Sequence, residues 1–219
     1  MILSLFMSVF QLFSPAAAVE ILAVSDDLKS TKKALRKHFL ELRTKIDAEN
    51  RLRLDRMIAD HVRGMDEFQR ASVVAGYVTD GTEPDVIPLL RDALRRGSEV
   101  CLPKWNGTEY ILSYVREDGI DRLEPGKWGL LEPVATVPAD LEKIGGNLLL
   151  LVPGVAFDES FARLGRGGGI YDRFLAAGRR SFALGVFYEC QKTLTLPREE
   201  HDALLDAAVT ESGVRKRIT

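Results

Sequence analysis

Apolar residues recur at helical spacing early in the chain. Leu35, Phe39 and Leu42 follow one another at intervals of four and three positions after acidic residues, so the pattern predicts a helix over 25–46. The range 47–65 opens with Asp, a residue type that caps helices, and its pattern predicts a second helix. The apolar positions expected to form the buried stripe of this second helix are Leu52, Met57, Ile58 and Val62.

Short apolar runs alternate with predicted helices through the rest of the chain. We expect strands over 72–78, 99–102, 108–115, 147–152, 182–187 and 207–210, and helices over 84–96, 169–177 and 199–205. The run at 147–152 is apolar on both faces, which is typical of a central parallel strand. The alternation predicts an α/β protein, a single three-layer domain with a largely parallel central sheet flanked by helices. Its ligands are expected beyond the carboxyl ends of the strands, and the Pro- and Gly-rich stretch 116–146 is expected on the surface.

The start of the chain differs from the remainder. Residues 1–19 carry no charged side chain, and Ala16–Ala18 resembles a signal-peptidase site. A basic residue before the apolar run is missing and polar residues interrupt that run, so a secretory signal is the less favoured interpretation. A dispensable leader and a misassigned start codon are the alternatives. We treat residues 1–20 as an apolar leader of open status and residues 21–219 as the working domain.

Composition narrows the class of partner. The chain has 219 residues, a formal net charge of −2 and a hydrophobic content of 46%, as ordinary globular domains do, and this charge balance disfavours nucleic acid as a partner. Cys101 and Cys190 have neither CxxC nor Cys/His spacing, which disfavours a zinc site or a disulfide and favours a reducing compartment. We expect a cytoplasmic monomer or weak homodimer that binds a small molecule, without nucleic acid or membrane partners.

A glycine-rich loop is the sharpest local feature. Residues 165–169 place four glycines within five positions, between a predicted strand and a predicted helix. Glycines let backbone N–H groups approach an anion, a helix start adds a favourable dipole, and Arg163 and Arg166 add positive charge. The loop therefore predicts a phosphate site. No GxxxxGK[ST] occurs, and Ile170 stands where the last glycine of GxGxxG belongs, so the two common nucleotide motifs are disfavoured.

The loop lies within a longer segment, 151–175 (LVPGVAFDESFARLGRGGGIYDRFL), that resembles the signature of the 5-formyltetrahydrofolate cyclo-ligase family, also called 5,10-methenyltetrahydrofolate synthetases. Further blocks follow in that family's order, namely Lys-Lys-Ala-Leu-Arg at 32–36, Glu83 after an apolar strand, Pro-Lys-Trp at 103–105, Gly-Leu-Leu-Glu-Pro at 129–133 and His-Asp-Ala-Leu-Leu-Asp at 201–206. Their joint order, over nearly the whole chain, carries the resemblance. One departure is Ile170, which replaces the first of two tyrosines usual before the Asp and puts an aromatic ligand contact in doubt.

The resemblance implies ATP and Mg²⁺ as cofactors, 5-formyltetrahydrofolate as substrate, and a role for each matched residue. The residues that it assigns to ATP are Lys32, Lys33, Ala34, Leu35, Arg36, Arg163, Leu164, Gly165, Arg166, Gly167, Gly168, Gly169, Ile170 and Tyr171. The residues assigned to the folate are Val78, Glu83, Arg166, Gly167, Gly168, Gly169 and Ile170, to which Trp105 and Trp128 are added as stacking surfaces for the pterin. Asp172 and Asp202 are assigned to Mg²⁺, which prefers hard oxygen ligands. The expected catalytic residues are Arg166 and Lys32.

The implied reaction is ATP-dependent closure of the 5,10-methenyl ring. The γ-phosphate of ATP activates the formyl oxygen, N10 attacks, and phosphate leaves together with ADP. Such chemistry relies on positioning and charge neutralisation, which agrees with the lack of a Gly-x-Ser-x-Gly or His-Glu-x-x-His motif in the sequence. Two alternatives stay open, an ATP-dependent ligase of another small substrate and a non-catalytic phosphate or nucleic-acid binding protein. The basic residues that suggest the latter are Arg163, Arg166, Arg173, Arg179, Arg180, Arg215, Lys216 and Arg217.

Overall fold

Two amphipathic helices open the described part of the chain. The computed structural model describes residues 27–134, 136–141, 143–144, 147–177, 181–199 and 202–218, so the proposed leader lies outside it. Helix α1 (Leu28–Thr44) begins after Asp27, and α2 (Ala48–Arg63) begins after Asp47. Each Asp carboxylate accepts backbone N–H groups of the first helical turn, which confirms Asp47 as a cap. The further helices are α3 (Asp66–Arg70), α4 (Ile87–Arg95), α5 (Glu117–Asp121) and α6 (Ile170–Ala177).

The strands are short, and most of them join one sheet. In chain order they are β1 (Val73–Ala75), β2 (Glu99–Trp105), β3 (Tyr110–Val115), β4 (Leu123–Pro125), β5 (Leu131–Pro133), β6 (Val137–Pro138), β7 (Leu148–Val152), β8 (Ala156–Asp158), β9 (Arg163–Leu164), β10 (Ser181–Val186), β11 (Lys192–Thr193), β12 (Ala207–Thr210) and β13 (Gly213–Lys216). Within the described ranges, eight of them form the main sheet in the order β13-β12-β10-β7-β1-β2-β3-β6. The neighbours from β12 to β2 are parallel, and those at both edges are antiparallel, which confirms a largely parallel sheet.

The side chains of the central strand β7 pack into two cores, one on each face of this sheet. Alternate residues of a strand point to opposite sides. Leu149 and Leu151 therefore enter a core that α2 and α4 cover, whereas Leu148 and Leu150 enter a second core that contains Phe174 of α6. Helices thus cover both faces, and the predicted three-layer α/β architecture is confirmed.

A second sheet, in the order β11-β8-β9, supports the first helix. Leu35, Phe39 and Leu42 of α1 pack with Ala156 of β8 and Leu164 of β9 in a core of their own. The sequence did not reveal this sheet, because strands of two and three residues are too short to display a period. The sheet matters for the site because β9 leads directly into the glycine-rich loop.

Three local expectations were wrong. The predicted helix at 199–205 is absent from the described residues of that range, Glu199 and 202–205, where the backbone N–H of Glu199 donates to the Asp202 carboxylate instead. Leu52 and Met57 are 60% and 38% exposed, so the buried stripe of α2 is narrower than expected. Strand β2 continues through Pro103, which lacks an N–H, because the parallel ladder to β1 has already ended at Cys101.

The stretch 116–146 is folded rather than merely wrapped over the surface. Strands β4 and β5 form an antiparallel hairpin, a 3-10 turn spans Lys127–Gly129, and β6 extends the main sheet. Among the described ranges, none of the helices has the length and apolar character needed to cross a membrane.

Candidate active site

The glycine-rich loop lies at the carboxyl edge of the parallel strands, between β9 and α6. Gly167 and Gly169 have φ angles of 100° and 63°, in the region that L side chains rarely adopt. A Cβ on Gly165 would lie 2.7 Å from Nη1 of Arg163. The backbone angles therefore favour glycine at 167 and 169, and an alanine at 165 would displace the end of the Arg163 side chain, whereas a Cβ on Gly168 would meet the Ile170 side chain at an ordinary 3.8 Å.

Lys32 lies on α1, one helical turn before Arg36, and is held by two carboxylates. Its Nζ donates to Glu199 Oε2 at 2.8 Å and to Asp202 Oδ2 at 2.7 Å. Burial by itself would lower the pKa of Lys32, but the hydrogen bonds to Asp202 and Glu199 outweigh it and hold the pKa above its usual value. Lys32 is thus a charged, nearly buried ammonium group next to two acids.

Two arginines fasten the ends of the loop. Arg36, one helical turn after Lys32, donates from Nε to the carbonyl oxygen of Gly165 at 2.8 Å. Arg163 donates from Nη2 to Asp172 Oδ1 at 2.6 Å and from Nη1 to the carbonyl oxygen of Pro153 at 3.3 Å. The side chain of Arg163 is 4% exposed and that of Asp172 is 30% exposed, so a buried guanidinium group pairs with a carboxylate at the surface.

Arg166 projects from the loop toward the segment that follows β1. Its guanidinium group contacts the Asp80 carboxylate, and its Nε lies 3.4 Å from Glu83 Oε1. A second guanidinium, that of Arg43, lies 3.6 Å from each of the same two carboxylates and is fully buried. Burial and the neighbouring Asp80 raise the pKa of Glu83, and these effects exceed the opposing influence of Arg166 and Arg43.

We call these groups the charged cluster. Its cations are Lys32, Arg36, Arg43, Arg163 and Arg166, and its carboxylates are Asp80, Glu83, Asp172, Glu199 and Asp202. The cluster joins four separate parts of the chain, and the Lys32–Asp202 pair alone spans 170 positions. Pairing keeps cations that are partly shielded from water charged and oriented.

An aromatic cluster, which consists of Trp105, Tyr110 and Trp128, lies at the end of β2. The ring centroids of Trp105 and Trp128 are 5.8 Å apart, and Tyr110 lies 5.4 Å from Trp105 and 5.7 Å from Trp128. Trp128 is 65% exposed and has a φ of 59°, so its ring stands at the surface on a strained turn. Glu132 supports that turn by accepting the backbone N–H groups of Lys127 and Trp105.

The remaining predicted site residues have different surroundings. Tyr171 donates its hydroxyl hydrogen to the carbonyl oxygen of Gly76 at 3.1 Å, and burial raises its pKa. Ile170 is half-buried against the core near Phe174, and Val78 is half-buried against the opposite core. Of the predicted ATP residues, Lys33 and Ala34 are exposed, whereas the side chains of Leu35 and Leu164 are buried in the core beneath α1.

Three charged residues of the site were missed in the sequence. Arg43 lies one residue past the buried Leu42, where a basic residue near a helix end is normally solvated. Asp80 lies in the polar loop that follows a predicted strand and also contains Glu83. Its position after the carboxyl end of that strand is the signal that could have identified it. Glu199 lies in the range that was predicted as helix, so nothing in its pattern pointed to Lys32.

A cavity of about 520 Å³ lies elsewhere, at the amino edge of the same sheet. Its lining includes Asp66, Glu67 and Arg70 of α3, together with Leu148 at the start of β7. None of the predicted site residues lines it. Ligands of parallel sheets bind beyond the carboxyl ends of the strands, and we therefore take the charged cluster as the site.

Six of the eight basic residues that suggested nucleic-acid binding are engaged in ion pairs within the described part of the chain. Arg215 pairs with Glu189 at 2.8 Å, Lys216 with Glu67 at 2.6 Å, Arg217 with Asp206 at 3.4 Å and Arg173 with Glu109 at 3.8 Å. Arg179 and Arg180 lie outside the described residues. Paired in this way, the carboxyl-terminal basic run does not present an unscreened positive surface.

Comparison with known proteins agrees with the geometry. A family model described as the 5-formyltetrahydrofolate cyclo-ligase family matches residues 28–211. The chain belongs to this family. The resemblance inferred from the motifs is therefore confirmed, and so is the class of enzyme, whereas the non-enzymatic alternative is not favoured.

Individual cyclo-ligases extend the agreement over most of the chain. A probable 5-formyltetrahydrofolate cyclo-ligase of Caenorhabditis elegans is 28% identical over 194 residues, which cover 84% of this chain and 94% of that protein. The cyclo-ligase of Escherichia coli K12 is 34% identical over 150 residues, or 66% of this chain and 80% of that protein. The NMR structure of Aquifex aeolicus 5,10-methenyltetrahydrofolate synthetase has a TM-score of 0.73 and 35% identity, and the match covers 84% and 92% of the two chains.

Proposed function

We propose that this member of the cyclo-ligase family converts 5-formyltetrahydrofolate and ATP into 5,10-methenyltetrahydrofolate, ADP and phosphate, with the charged cluster as its active site. The observation that carries the proposal is that Lys32, Arg163 and Arg166, which surround the glycine-rich loop, are each held by a carboxylate. Cations that are oriented before the ligand arrives are what binding of a polyphosphate requires.

The nucleotide binds along the loop. Backbone N–H groups of 165–169 and the start of α6 receive phosphate oxygens, while Lys32, Arg36 and Arg163 neutralise the phosphate charge. The phosphates compete with the carboxylates that hold these cations, which favours a ligand of several negative charges over one of a single charge. Tyr171 anchors the first turn of α6 through its hydrogen bond to Gly76.

The folate occupies the adjacent region, which is bordered by Glu83 and the aromatic cluster. Glu83 is 9% exposed on its side chain and is able to accept hydrogen bonds from the N–H groups of a pterin. Trp128 offers an exposed ring face for stacking, and Trp105 supports it from below. The half-buried Ile170 supplies an aliphatic surface where the family usually has a tyrosine.

The chemistry requires no covalent bond to the protein. The formyl oxygen attacks the γ-phosphorus and releases ADP, N10 then attacks the activated formyl carbon and gives up its proton to solvent, and the oxygen leaves as part of inorganic phosphate. Arg166 and Lys32 act as the catalytic residues, because they stabilise the negative charge of the transferring group. Arg36 and Arg163 orient the nucleotide so that the reacting atoms approach in line.

Asp172 and Asp202 fit Mg²⁺ by the chemistry of their donors. Mg²⁺ in nucleotide sites is held by one or two carboxylates together with phosphate oxygens and water. Binding of Mg²⁺ in this way does not require three protein ligands. Among the described residues, no group of three or more Asp, Glu, His or Cys side chains is arranged to hold a metal ion. When bound, the ion would neutralise phosphate charge during phosphoryl transfer.

We infer also that the enzyme acts in the cytoplasm as a monomer or weak homodimer. Both cysteines are free, and Cys101 is buried, which is consistent with a reducing compartment. Light scattering over a range of protein concentrations tests the oligomeric state. A mass near 24.4 kDa at low concentration is expected, and a stable larger assembly would contradict the inference.

The methenyl product absorbs light where the substrates do not, so absorbance tests the reaction. Purified protein, Mg²⁺ and 5-formyltetrahydrofolate should give rising absorbance with ATP and none without it. Asp172→Ala should abolish the rise, whereas Asp66→Ala, which removes an exposed carboxylate at the opposite edge of the sheet, should leave it intact. A wild-type protein that binds ATP but gives no chromophore would overturn the folate assignment.

Isotopic labelling tests the activated intermediate. Substrate with ¹⁸O in the formyl group should transfer its label to inorganic phosphate, which ³¹P NMR detects as a shifted resonance. Recovery of the label in water would show that the formyl oxygen is not phosphorylated.

A further inference from the structure

Four charged side chains form a compact group between α1, the loop after β1 and the glycine-rich loop. Asp80 and Glu83 lie between two guanidinium groups, those of Arg166 and Arg43. The two arginines differ in freedom, since the side chain of Arg166 is 47% exposed and that of Arg43 is 0% exposed. One cation is able to leave the group, and the other is not.

Arg43 is fixed from several directions. Its Nη2 donates to Thr82 Oγ1 at 2.7 Å, and its Nη1 donates to the carbonyl oxygen of Gly154 at 3.3 Å. Arg51 of α2 closes the arrangement, because its guanidinium donates to the carbonyl oxygens of Arg43 and Thr82. The Asp80 carboxylate accepts the backbone N–H groups of Thr82 and Glu83, which holds the loop against Arg43.

Under the proposed function, on which this inference rests, Arg166 turns from the carboxylates to the phosphates of ATP. Glu83, whose side chain is 9% exposed, is strongly destabilised without a cationic partner, and Asp80, whose side chain is 26% exposed, is destabilised to a smaller degree. We propose that Arg43 is a positioning residue that keeps Asp80 and Glu83 paired when Arg166 leaves them, and so makes Arg166 available to the nucleotide. The repulsion between the two neighbouring guanidinium groups favours the same movement.

Three variants test this role through the affinity for ATP, measured by calorimetry and as KM for ATP. Arg43→Gln should weaken ATP binding about tenfold or more, because Arg166 is then the remaining partner of two carboxylates. Asp80→Asn, which keeps the hydrogen bonds to Oδ1, should strengthen ATP binding by about two- to fivefold, because it weakens the competitor for Arg166. Arg43→Lys retains the charge and should remain closer to wild type than Arg43→Gln.

The double variant Arg43→Gln/Asp80→Asn separates positioning from general damage. If Arg43 acts by balancing charge, Asp80→Asn should restore much of the ATP affinity that Arg43→Gln loses. If both residues merely support the fold, the two losses should add, and that result would overturn the proposal. Should Arg43→Gln fail to fold, the double variant is compared with Asp80→Asn: ATP affinities within about twofold of each other support the proposal, because a neutral side chain at 80 no longer needs Arg43, and a much weaker affinity in the double variant contradicts it.

The outcomes that would overturn the proposed function differ from those that would overturn the role of Arg43. A wild-type protein that neither binds ATP nor forms the methenyl chromophore would overturn the assigned reaction and the inference with it. Wild-type activity with equal ATP affinity in all four variants would overturn the role of Arg43 alone.

Discussion

The charged cluster and the aromatic cluster are built in opposite ways. The charged cluster joins residues from Lys32 to Asp202, and its most buried member, Arg43, is inaccessible to solvent. The aromatic cluster comes from 24 positions of one region, 105–128, and its Trp128 is 65% exposed. The proposed nucleotide side of the site is thus organised by long-range ion pairs before any ligand arrives, whereas the proposed folate side is a local surface that remains open.

This difference has an energetic consequence. Breaking a buried ion pair by removal of one partner leaves an uncompensated charge, which is costly for the whole domain. Removal of an exposed ring costs little folding stability, because the ring buries little area to begin with. We therefore expect substitutions in the charged cluster to affect both folding stability and catalysis. Substitutions at Trp128 should affect only the binding of the folate substrate.

Among the changes that separate the two clusters, Arg166→Ala should have the largest effect. Loss of one preorganised donor at a developing negative charge should reduce kcat about 100- to 1,000-fold. Arg91→Ala is the matched control, since Arg91 lies on α4, is 32% exposed on its side chain, and pairs with a single carboxylate, that of Asp121, at 2.6 Å. Steady-state kinetics by methenyl absorbance should show Arg91→Ala within about twofold of wild type. Equal losses in the two variants would contradict a specific role for Arg166.

Trp128→Ala should act on the folate side. Stacking of a base on an aromatic ring contributes about 1–3 kcal/mol, so KM for 5-formyltetrahydrofolate should rise by about 5- to 150-fold while KM for ATP stays constant. Trp128→Phe retains a ring face and should recover part of the loss. An unchanged KM for the folate in Trp128→Ala would remove the aromatic cluster from the site.

Gly167→Ala should strain the glycine-rich loop without removing any charge, so it separates the effect of backbone geometry from the effect of the ion pairs. An alanine at a φ of 100° should lower the free energy of unfolding by about 1–2 kcal/mol. Gly168→Ala, at a position without a positive φ, should change it by less than about 0.5 kcal/mol. Urea unfolding of both variants measures the difference, and equal destabilisation would contradict the assigned backbone geometry.

Tyr171→Phe should have the smallest effect. It removes the hydrogen bond to Gly76 at 3.1 Å and leaves the ring in place, so the free energy of unfolding should fall by about 0.5–1.5 kcal/mol. Thermal unfolding monitored by circular dichroism provides the measurement. A loss several times larger would mean that the hydroxyl group holds more of α6 than this single bond.

The sequence predicted the parts of the molecule whose signals are local. The apolar run at β7, the Asp47 cap of α2, and the glycines between β9 and α6 have short-range causes, and they were recognised. The ion pair of Lys32 with Asp202 was not foreseen, because no pattern links positions 170 residues apart. Arg43 was missed for the same reason, since its burial depends on a loop from another part of the sheet. Charged residues that become buried by tertiary contacts look like surface residues in a sequence.

Binding of each ligand to each half of the site tests the central claim most directly. Calorimetry with a non-hydrolysable ATP analogue and, separately, with 5-formyltetrahydrofolate should be carried out on wild type, Arg166→Ala and Trp128→Ala. The account predicts that Trp128→Ala weakens the folate and leaves the nucleotide unchanged, while Arg166→Ala weakens the nucleotide by the larger factor. If Trp128→Ala weakens the nucleotide as much as the folate, or Arg166→Ala leaves the nucleotide unchanged, the division of the site into these two clusters is contradicted.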